Sequence, residues 1–420
     1  LVVLFIPWDG IRLGVGSVVN VFLVFAFAVT FLLVLQRGRP VPLPGWMLLA
    51  GAGLLVSALV TVAFPPALAL KQASLMDLLH EAGVPYLLVH RSDLSTLAQW
   101  EIAWIVPPVI LMINGTTRER CRLLLDLFAL AAAISAIVGL LDVAGLHFLA
   151  TRPIANSRSS GLTIHPNYLA FESALAVPVT LLWIGRGGRW TLVGVLASAA
   201  LLGGVYSSGS RAAAVGAVIA VAITVIFVPR LRRLAGILIP LAGVAVVVLL
   251  AFTDAGTQIL HQVRLNPGNP TTVASNTTRD QAAHTALVQF RTRPLEGVGF
   301  QVIEDAHNIY LQLLAAGGLI TLASFLIYCG GLGRAYVRAR DGPLRDEATV
   351  IVASVRVWLV GGAFDNQLID KFLYVMPGLL LAMAYLVEPV PQGTSAVLST
   401  WESVRGWGTE SPGLAARTAA

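Results

Sequence analysis

Residues 191–228, TLVGVLASAALLGGVYSSGSRAAAVGAVIAVAITVIFV, decide the fold class of this chain. They contain two apolar runs, at 191–207 and 211–228, separated by a short polar turn. A helix needs about twenty mostly apolar residues to cross the hydrocarbon core of a bilayer, and each run comes close to that length. The stretch therefore predicts two consecutive membrane-spanning helices.

The composition extends this prediction to the whole chain. Of its 420 residues, 56% are hydrophobic and only 12% are charged, and the mean hydropathy is +0.79. A soluble domain of this length could not cover its surface with so few charges. The formal net charge of +6 lies mainly in short loops, where basic residues report membrane orientation, so no nucleic-acid partner is expected. Cys121 and Cys329 fall at predicted cytoplasmic helix ends and are expected to be free thiols.

The apolar pattern predicts an all-α polytopic membrane protein with about eleven spans. The spans are predicted at residues 15–35, 46–64, 98–113, 122–143, 168–184, 191–207, 211–228, 234–252, 308–329, 349–363 and 372–387. Residues 1–7 are also apolar and indicate the end of a further helix or a start without methionine; the further helix would give about twelve spans with both ends in the cytoplasm. Residues 1–388 are expected to form a single integral membrane domain. Residues 389–420, rich in Gly, Ser, Thr and Ala, are expected to form a disordered cytoplasmic tail.

Basic residues alternate along the loops. Every second loop is short and basic, which makes those loops cytoplasmic by the positive-inside rule. Their basic residues are Arg37 and Arg39; Arg118, Arg120 and Arg122; Arg186 and Arg189; Arg230, Arg232 and Arg233; and Arg334, Arg338, Arg340 and Arg345. Segments 65–97, 144–167, 253–307 and 364–371 then face the other side of the membrane, and 253–307 is the large loop among them.

The polar stretch 276–312 differs from the rest of this apolar chain. It holds fixed cations, which phosphate binding needs, and a titratable base, which proton abstraction needs. His307, at the mouth of the predicted span 308–329, is the best candidate for that base, although a lone interfacial histidine is more often structural. His165, His261 and His284 are weaker candidates of the same kind. The stretch includes Arg279, Arg291, Arg293, Glu304, Asp305 and His307.

Two arginines are candidates for binding an anion. Arg211 follows Ser210 and opens the span 211–228; an arginine at the edge of an apolar helix either snorkels to water or meets an anion. Arg279 is expected in the first turn of a helix capped by Thr277 or Thr278. A cation there is unfavourable unless an anion is present, which is either the neighbouring Asp280 or a bound group.

Residues 294–300, Pro-Leu-Glu-Gly-Val-Gly-Phe, break the helical pattern. Their glycines permit either a plain tight turn or a close approach of the backbone to a ligand.

Several common motifs are missing from the sequence. It has no Asp-x-Asp, no His-Glu-x-x-His, no Walker loop and no cysteine cluster. Metal-dependent or ATP-dependent chemistry is therefore disfavoured, and neither a metal nor a cofactor is expected. Few charges lie in the middle of the predicted spans, which argues against an ion-coupled transporter.

The candidate motifs occur in an order that resembles the O-antigen ligase / O-antigen polymerase superfamily. The ordered elements are His165-Pro166-Asn167-Tyr168, Ser210-Arg211, Arg279, Pro294 to Phe300, His307 to Leu314, and Gly317-Gly318-Leu319. The motifs cover roughly residues 160–325, and the rest of the chain matches in hydropathy. Two departures bear on the subfamily: Ala315 and Ala316 replace a common acidic residue, and Glu296 replaces a common apolar one.

The resemblance implies a fold of about twelve helices with a large periplasmic loop, of the GT-C glycosyltransferase type. It also implies inverting, metal-independent transfer of a glycan from undecaprenyl diphosphate to an acceptor hydroxyl at the periplasmic face of the bacterial inner membrane. Arg211 and Arg279 match the arginines that bind the diphosphate, and His307 matches the catalytic histidine. Residues that would support this centre or contact sugar are Asn308, Tyr310, Gln312, Ser210 and His165, with Arg291 and Arg293 assisting the anionic headgroup.

The acceptor remains open at this stage. A ligase transfers the glycan to lipid A–core, and a polymerase transfers it to another lipid-linked repeat unit. A lipid or polysaccharide transporter is the alternative from another class; it would predict inverted repeats and charged or broken helices within the membrane. The sequence shows neither feature clearly, so an enzyme working among membrane lipids is the favoured interpretation.

Overall fold

The computed structural model describes most of the chain. The described residues are 2–13, 16–37, 43–66, 93–149, 151, 158–232, 236, 270–300, 306–365 and 367–387. They are mainly helical, and the only strands among them are the two-residue pair Arg12–Leu13 and Gly16–Ser17. The predicted span 234–252 apart from residue 236, residues 67–92 of the predicted segment 65–97, and the predicted tail 389–420 lie outside the described residues. So do residues 253–269 and 301–305 of the predicted large loop, which include His261, Glu304 and Asp305.

Twelve α-helices are numbered here in chain order. They are α1 (Val2–Phe5), α2 (Val18–Arg37), α3 (Gly45–Ala63), α4 (Asp93–Asn114), α5 (Arg118–Val143), α6 (Pro166–Arg186), α7 (Arg189–Ser208), α8 (Arg211–Phe227), α9 (Pro270–Thr292), α10 (Ile309–Ala339), α11 (Arg345–Gly361) and α12 (Val375–Val387). Short 3-10 turns lie at His147–Leu149 and Lys371–Tyr374.

The all-α polytopic membrane fold is confirmed. Seven described helices, α2 to α7 and α10, are long and apolar enough to cross a membrane, and α8 and residues 371–386 are shorter apolar helices. Large apolar side chains on them face outward; Val24 and Val218, for example, are each 69% exposed. Such surfaces fit contact with lipid, because a soluble protein rarely exposes continuous apolar faces. Each of the ten predicted spans that falls within the described residues coincides with a helix.

Two predicted helix ends were wrong. Helix α10 continues ten residues past the predicted end at 329, to Ala339, so Cys329 lies within it; Cys121 and Cys329 are free thiols as expected. Helix α9 begins at Pro270, which suits a first helical position because proline has no N–H to leave unpaired. Thr277 does not cap a helix start, since its hydroxyl donates to Val273 O within α9 at 3.1 Å.

A cluster of buried aromatic side chains joins several helices within the bundle. Trp104 lies 5.3 Å from Tyr328 and 5.8 Å from Phe325, and Trp358 lies 5.7 Å from Phe325 and 5.3 Å from Tyr374, measured between ring centroids. All five side chains are almost fully buried. The cluster therefore packs α4, α10, α11 and the 3-10 turn against one another.

The polar atoms of these rings fix the loop that follows α11. Trp104 Nε1 and the Tyr374 hydroxyl both donate to Leu368 O, and Trp358 Nε1 donates to Gln367 O at 3.2 Å. Buried ring N–H and O–H groups need such partners, so ring packing and loop position are coupled.

Helix α10 is broken near its first third. Gly317 (φ −134°, ψ 16°) and Gly318 (φ 63°, ψ −154°) have non-helical backbones. An uninterrupted helix would pair the N–H groups of Leu319 and Ile320 with the carbonyls of Ala315 and Ala316. The break frees all four groups.

The turn 294–299 takes up those four groups. Its N–H groups donate to α10 and its carbonyls accept from α10. The bonds are Val298 N to Ala315 O (2.9 Å), Gly299 N to Ala316 O (2.9 Å), Leu319 N to Pro294 O (2.8 Å) and Ile320 N to Leu295 O (3.2 Å). The close backbone approach that the glycines permit is therefore made to another helix.

Glycine is required at this crossing. A Cβ on Gly318 would lie 2.3 Å from Leu295 O, and one on Gly297 would lie 2.5 Å from Ala316 O. Ser57 on α3 secures the crossing from a third side, because its hydroxyl donates to Gly317 O at 3.1 Å and to Glu296 O at 3.2 Å.

We expect Gly318→Ala to destabilise the protein strongly. Backbone strain alone should contribute about 1–3 kcal/mol, and the overlap with Leu295 O adds to it. The measurement is the apparent melting temperature of the purified protein in detergent. Gly330→Ala is the matched control, because that residue lies in a helical part of α10 with open space around it; its melting temperature should be unchanged or higher. Equal effects of the two substitutions would contradict this account of the break.

Candidate active site

The hairpin between α7 and α8 places Arg211 at one end of the bundle. Gly209 adopts a left-handed conformation (φ 62°) that ends α7, and the Ser208 hydroxyl accepts from Ser210 N at 3.2 Å. Arg211 is then the first residue of α8, and its Nη2 donates to Asn276 Oδ1 on α9 at 2.9 Å. Ser210, the N-cap residue, makes no side-chain capping bond, so first-turn N–H groups of α8 lack a capping hydroxyl.

Arg211 lines a cavity at this end of the bundle, and Arg279 on α9 lines the same cavity. It lies well inside that helix and lines the cavity together with Ser210 and Arg211. Its Nε is buried and has no hydrogen-bond partner within the described part of the chain. The two guanidinium groups are close enough to oppose one another electrostatically. Two cations facing one cavity indicate a place for an anion.

A third arginine, Arg158, lines this cavity. Its guanidinium donates to Ser208 O and to Asn167 Oδ1. It therefore comes from the segment that precedes α6, whereas Arg211 and Arg279 come from α8 and α9. The sequence analysis did not select Arg158. The only signal was its position in segment 144–167, which was predicted to face the same side as His307.

Asp365 connects the arginine cavity with His307. It lines the cavity, and its Oδ1 lies 3.8 Å from His307 Nδ1. Its carboxylate also accepts from Gln367 Nε2 at 3.2 Å. The Asp365 side chain is 7% exposed, and the His307 side chain is 30% exposed. Sequence analysis missed Asp365, although it placed the short segment 364–371 on the same side as His307.

Burial favours the neutral form of a second acid near Asp365. The side chain of Asp370 is buried, and burial, together with nearby Asp9, raises its pKa well above the usual range. The neutral form of Asp370 would avoid a second negative charge beside Asp365.

His307 has an unusual backbone. Its φ of 47° is the only positive value at a non-glycine residue within the described segments. Such conformations are unfavourable for residues with a Cβ, and they persist where the surroundings hold the chain.

The residues after His307 provide that support. Asn308 caps α10 by accepting from Tyr310 N (2.9 Å) and Leu311 N (3.1 Å), and its Nδ2 donates to Ala363 O at 2.9 Å. The Tyr310 hydroxyl donates to Leu359 O at 2.7 Å. Gln312 Oε1 accepts from Ala306 N at 3.1 Å. The side chains predicted to assist the base or contact sugar thus bind the protein backbone and attach the His307 loop to the end of α11.

Three other predicted residues do not line the cavity. His165 caps α6, with its Nδ1 accepting from Asn167 N at 3.1 Å. Arg293 pairs with Glu296 at 3.1 Å and donates to Phe64 O, which ties the end of α9 to the end of α3. Arg291 is exposed in the last turn of α9.

Comparison with known families addresses the part of the chain that forms this site. Residues 196–326 match the family model described as O-antigen ligase. The match includes Arg211, Arg279 and His307, and no curated protein matches the chain. The resemblance predicted from the motifs is confirmed: the chain is a multi-pass membrane protein that carries the O-antigen ligase domain of the O-antigen ligase / O-antigen polymerase superfamily, a group of membrane glycosyltransferase-like enzymes.

Proposed function

We propose that this protein is an O-antigen ligase-type glycosyltransferase. It moves a glycan from undecaprenyl diphosphate to a lipid acceptor, lipid A–core, at the periplasmic face of the bacterial inner membrane. One observation carries the proposal: Arg211 and Arg279 line the same cavity at one end of the helix bundle. Asp365 also lines this cavity and lies 3.8 Å from His307.

The arginines suit a diphosphate leaving group. Guanidinium groups bind phosphate oxygens through paired hydrogen bonds and remain charged at all relevant pH values. The N-terminus of α8 adds N–H groups and the positive end of a helix dipole beside Arg211. As the glycosidic bond breaks, negative charge grows on the diphosphate, so these contacts strengthen in the transition state and lower the barrier.

His307 takes the proton of the acceptor hydroxyl. When Nδ1–H faces Asp365, Nε2 is left as the proton acceptor, and the carboxylate stabilises the imidazolium that forms. The 3.8 Å separation is longer than a hydrogen bond, and such contacts often tighten only when substrate is bound.

The reaction then needs three coordinated events at one surface. The acceptor oxygen attacks the anomeric carbon on the face opposite the diphosphate, the carbon–oxygen bond to the diphosphate breaks, and the hydroxyl proton passes to His307. This in-line displacement inverts the anomeric configuration. The arginines supply the positive charge that the leaving group requires, so the proposed step uses no metal ion or nucleotide.

The two alternative functions, a repeat-unit polymerase and a transporter, would have different consequences. A repeat-unit polymerase would use the same donor and the same residues with a different acceptor. A transporter would require broken helices that expose backbone groups to a substrate or ion. Helix α10 is broken, but four of the freed backbone groups bond to the turn 294–299, which favours an enzyme.

We expect purified protein to transfer glycan from undecaprenyl diphosphate to lipid A–core without added metal or ATP. Arg279→Gln should lower the rate by about 10²–10³, by analogy with the loss of an oxyanion-stabilising donor. His307→Ala should lower it by about 10²–10⁴, the usual contribution of a general base. The measurement is glycan attached to lipid A–core, resolved by gel and mass spectrometry.

Two variants control for nonspecific damage in this assay. Arg291→Gln and His284→Ala change exposed residues of α9 that do not line the cavity, and both should keep wild-type rates. Longer carrier-linked glycan in place of labelled lipid A–core would mean that the protein is a polymerase. Full activity of His307→Ala would refute the assignment of the base.

We expect Asp365→Asn to act through His307. The loss of the carboxylate should lower kcat by about tenfold to a hundredfold, by analogy with removal of the partner that orients a metal-bound histidine. The KM for the donor should change little, because the arginines are retained, and Asp365→Glu should restore part of kcat. A raised KM with normal kcat would instead place Asp365 in donor binding.

A further inference from the structure

A second polar cavity lies at the other end of the helix bundle. Its volume is about 320 Å³. Helix α6 runs between the two cavities, from Asn167 at the first to Arg186 at the second, a length of about 30 Å at 1.5 Å per residue. The charged residues that line the second cavity are Arg122, Arg186, Arg230, Arg345, Asp346 and Glu347.

The four arginines come from four separate segments. Arg122 lies in the first turns of α5 and Arg186 in the last turn of α6. Arg230 follows α8, and Arg345 begins α11. Since no single helix explains this convergence, the fold itself assembles the basic cavity.

Acidic partners neutralise only part of this charge. Arg122 pairs with Glu347 at 2.6 Å, and Arg186 donates twice to Asp126, at 2.8 and 3.0 Å. Arg230 lies 3.9 Å from Asp346, which is a long contact, and the Arg230 side chain is 72% exposed.

One cation is left over. Arg345 is exposed, and no ion pair joins it to the described part of the chain. When Asp126 is counted, the cavity therefore has one more positive charge than negative charges. A single-charged phosphodiester would balance that excess.

The start of α11 also presents backbone donors to the cavity. Its first turn contains Asp346 and Glu347, whose carboxylates face Arg230 and Arg122. Its N-cap residue, Leu344, has an aliphatic side chain and makes no capping bond. The first N–H groups of a helix have no partner within the helix, so this end presents donors beside the arginines.

Buried apolar residues also line the cavity, close to apolar side chains that are exposed on the surface of α8. Leu182, Val228 and Leu231 line it alongside the arginines. Ile226 and Phe227, at the end of α8 next to Val228, are 56% and 52% exposed. A phosphate in the cavity can therefore belong to a molecule whose acyl chains lie along α8.

We propose that this cavity binds the headgroup phosphate of an anionic membrane phospholipid, such as phosphatidylglycerol. Arg230 and Arg345 hold the phosphate, the start of α11 donates backbone hydrogen bonds, and the acyl chains rest on the apolar end of α8. Basic pockets between helices at a membrane surface are suited to such headgroups. The site lies apart from the proposed glycan-transfer centre and does not depend on that function.

The test is a lipid titration of the purified full chain in detergent. Apparent melting temperature is followed by tryptophan fluorescence with dioleoyl phosphatidylglycerol, dioleoyl phosphatidylcholine or inorganic phosphate. We expect phosphatidylglycerol to raise the melting temperature, with phosphatidylcholine and inorganic phosphate much less effective. Arg345→Gln, which disrupts no ion pair, should weaken the phosphatidylglycerol response by about tenfold in midpoint concentration, and Arg230→Gln/Arg345→Gln should abolish it.

Arg118→Gln is the matched control. Arg118 is an exposed arginine at the same end of the bundle that does not line the cavity, so this variant should respond like wild type. Both cavity variants alter exposed guanidinium groups, and their melting temperatures without lipid report whether they fold. Bound phosphatidylglycerol counted by native mass spectrometry provides a second measure. An equal response to phosphatidylcholine, an equal response to inorganic phosphate, or equal losses in Arg118→Gln would each overturn the proposal.

Discussion

The exchange of hydrogen bonds between the broken helix α10 and the turn 294–299 is the constraint on which the site depends. Four backbone groups of α10 give up their helical partners, and four groups of the turn replace them. The turn begins two residues after the end of α9, which carries Arg279, and α10 begins two residues after His307. The exchange therefore fixes the element that carries Arg279, a proposed phosphate-binding residue, against the element that carries His307, the proposed base. Unpaired backbone groups are very unfavourable inside a membrane, so the two elements cannot easily separate.

The proposed site combines residues on helices with a residue in a loop that hydrogen bonds hold in place. Arg211 and Arg279 extend from helices, which suits the proposed binding of a diphosphate in a fixed position. His307 is a loop residue with a strained backbone, and Asn308 and the bonds to the end of α11 hold it in place. The aromatic cluster fixes the next loop, and with it Asp365. Packing in the interior of the bundle thus determines the distance between the proposed base and its carboxylate.

Much of the fold follows from the sequence, because a bilayer imposes a strong length and hydropathy rule on each span. The start of α9 was missed because that rule does not apply to a polar helix. Reasoning from their positions at predicted helix starts selected Arg211 and Arg279, and both line one cavity. It missed Arg158 and Asp365, whose roles arise from contacts between segments far apart in the chain. Asn308, Tyr310 and Gln312 were predicted to support the base or contact sugar, and that stays a prediction. Their side chains bond to backbone atoms, and sequence alone could not identify those partners.

The most direct test of the central claim is an experimental structure of the protein with undecaprenyl diphosphate bound. This account predicts both phosphates within hydrogen-bond distance of Arg211 and Arg279, with His307 facing the position of the transferred sugar. A diphosphate bound elsewhere, with the cavity of Arg211 and Arg279 occupied only by solvent, would contradict the proposed mechanism.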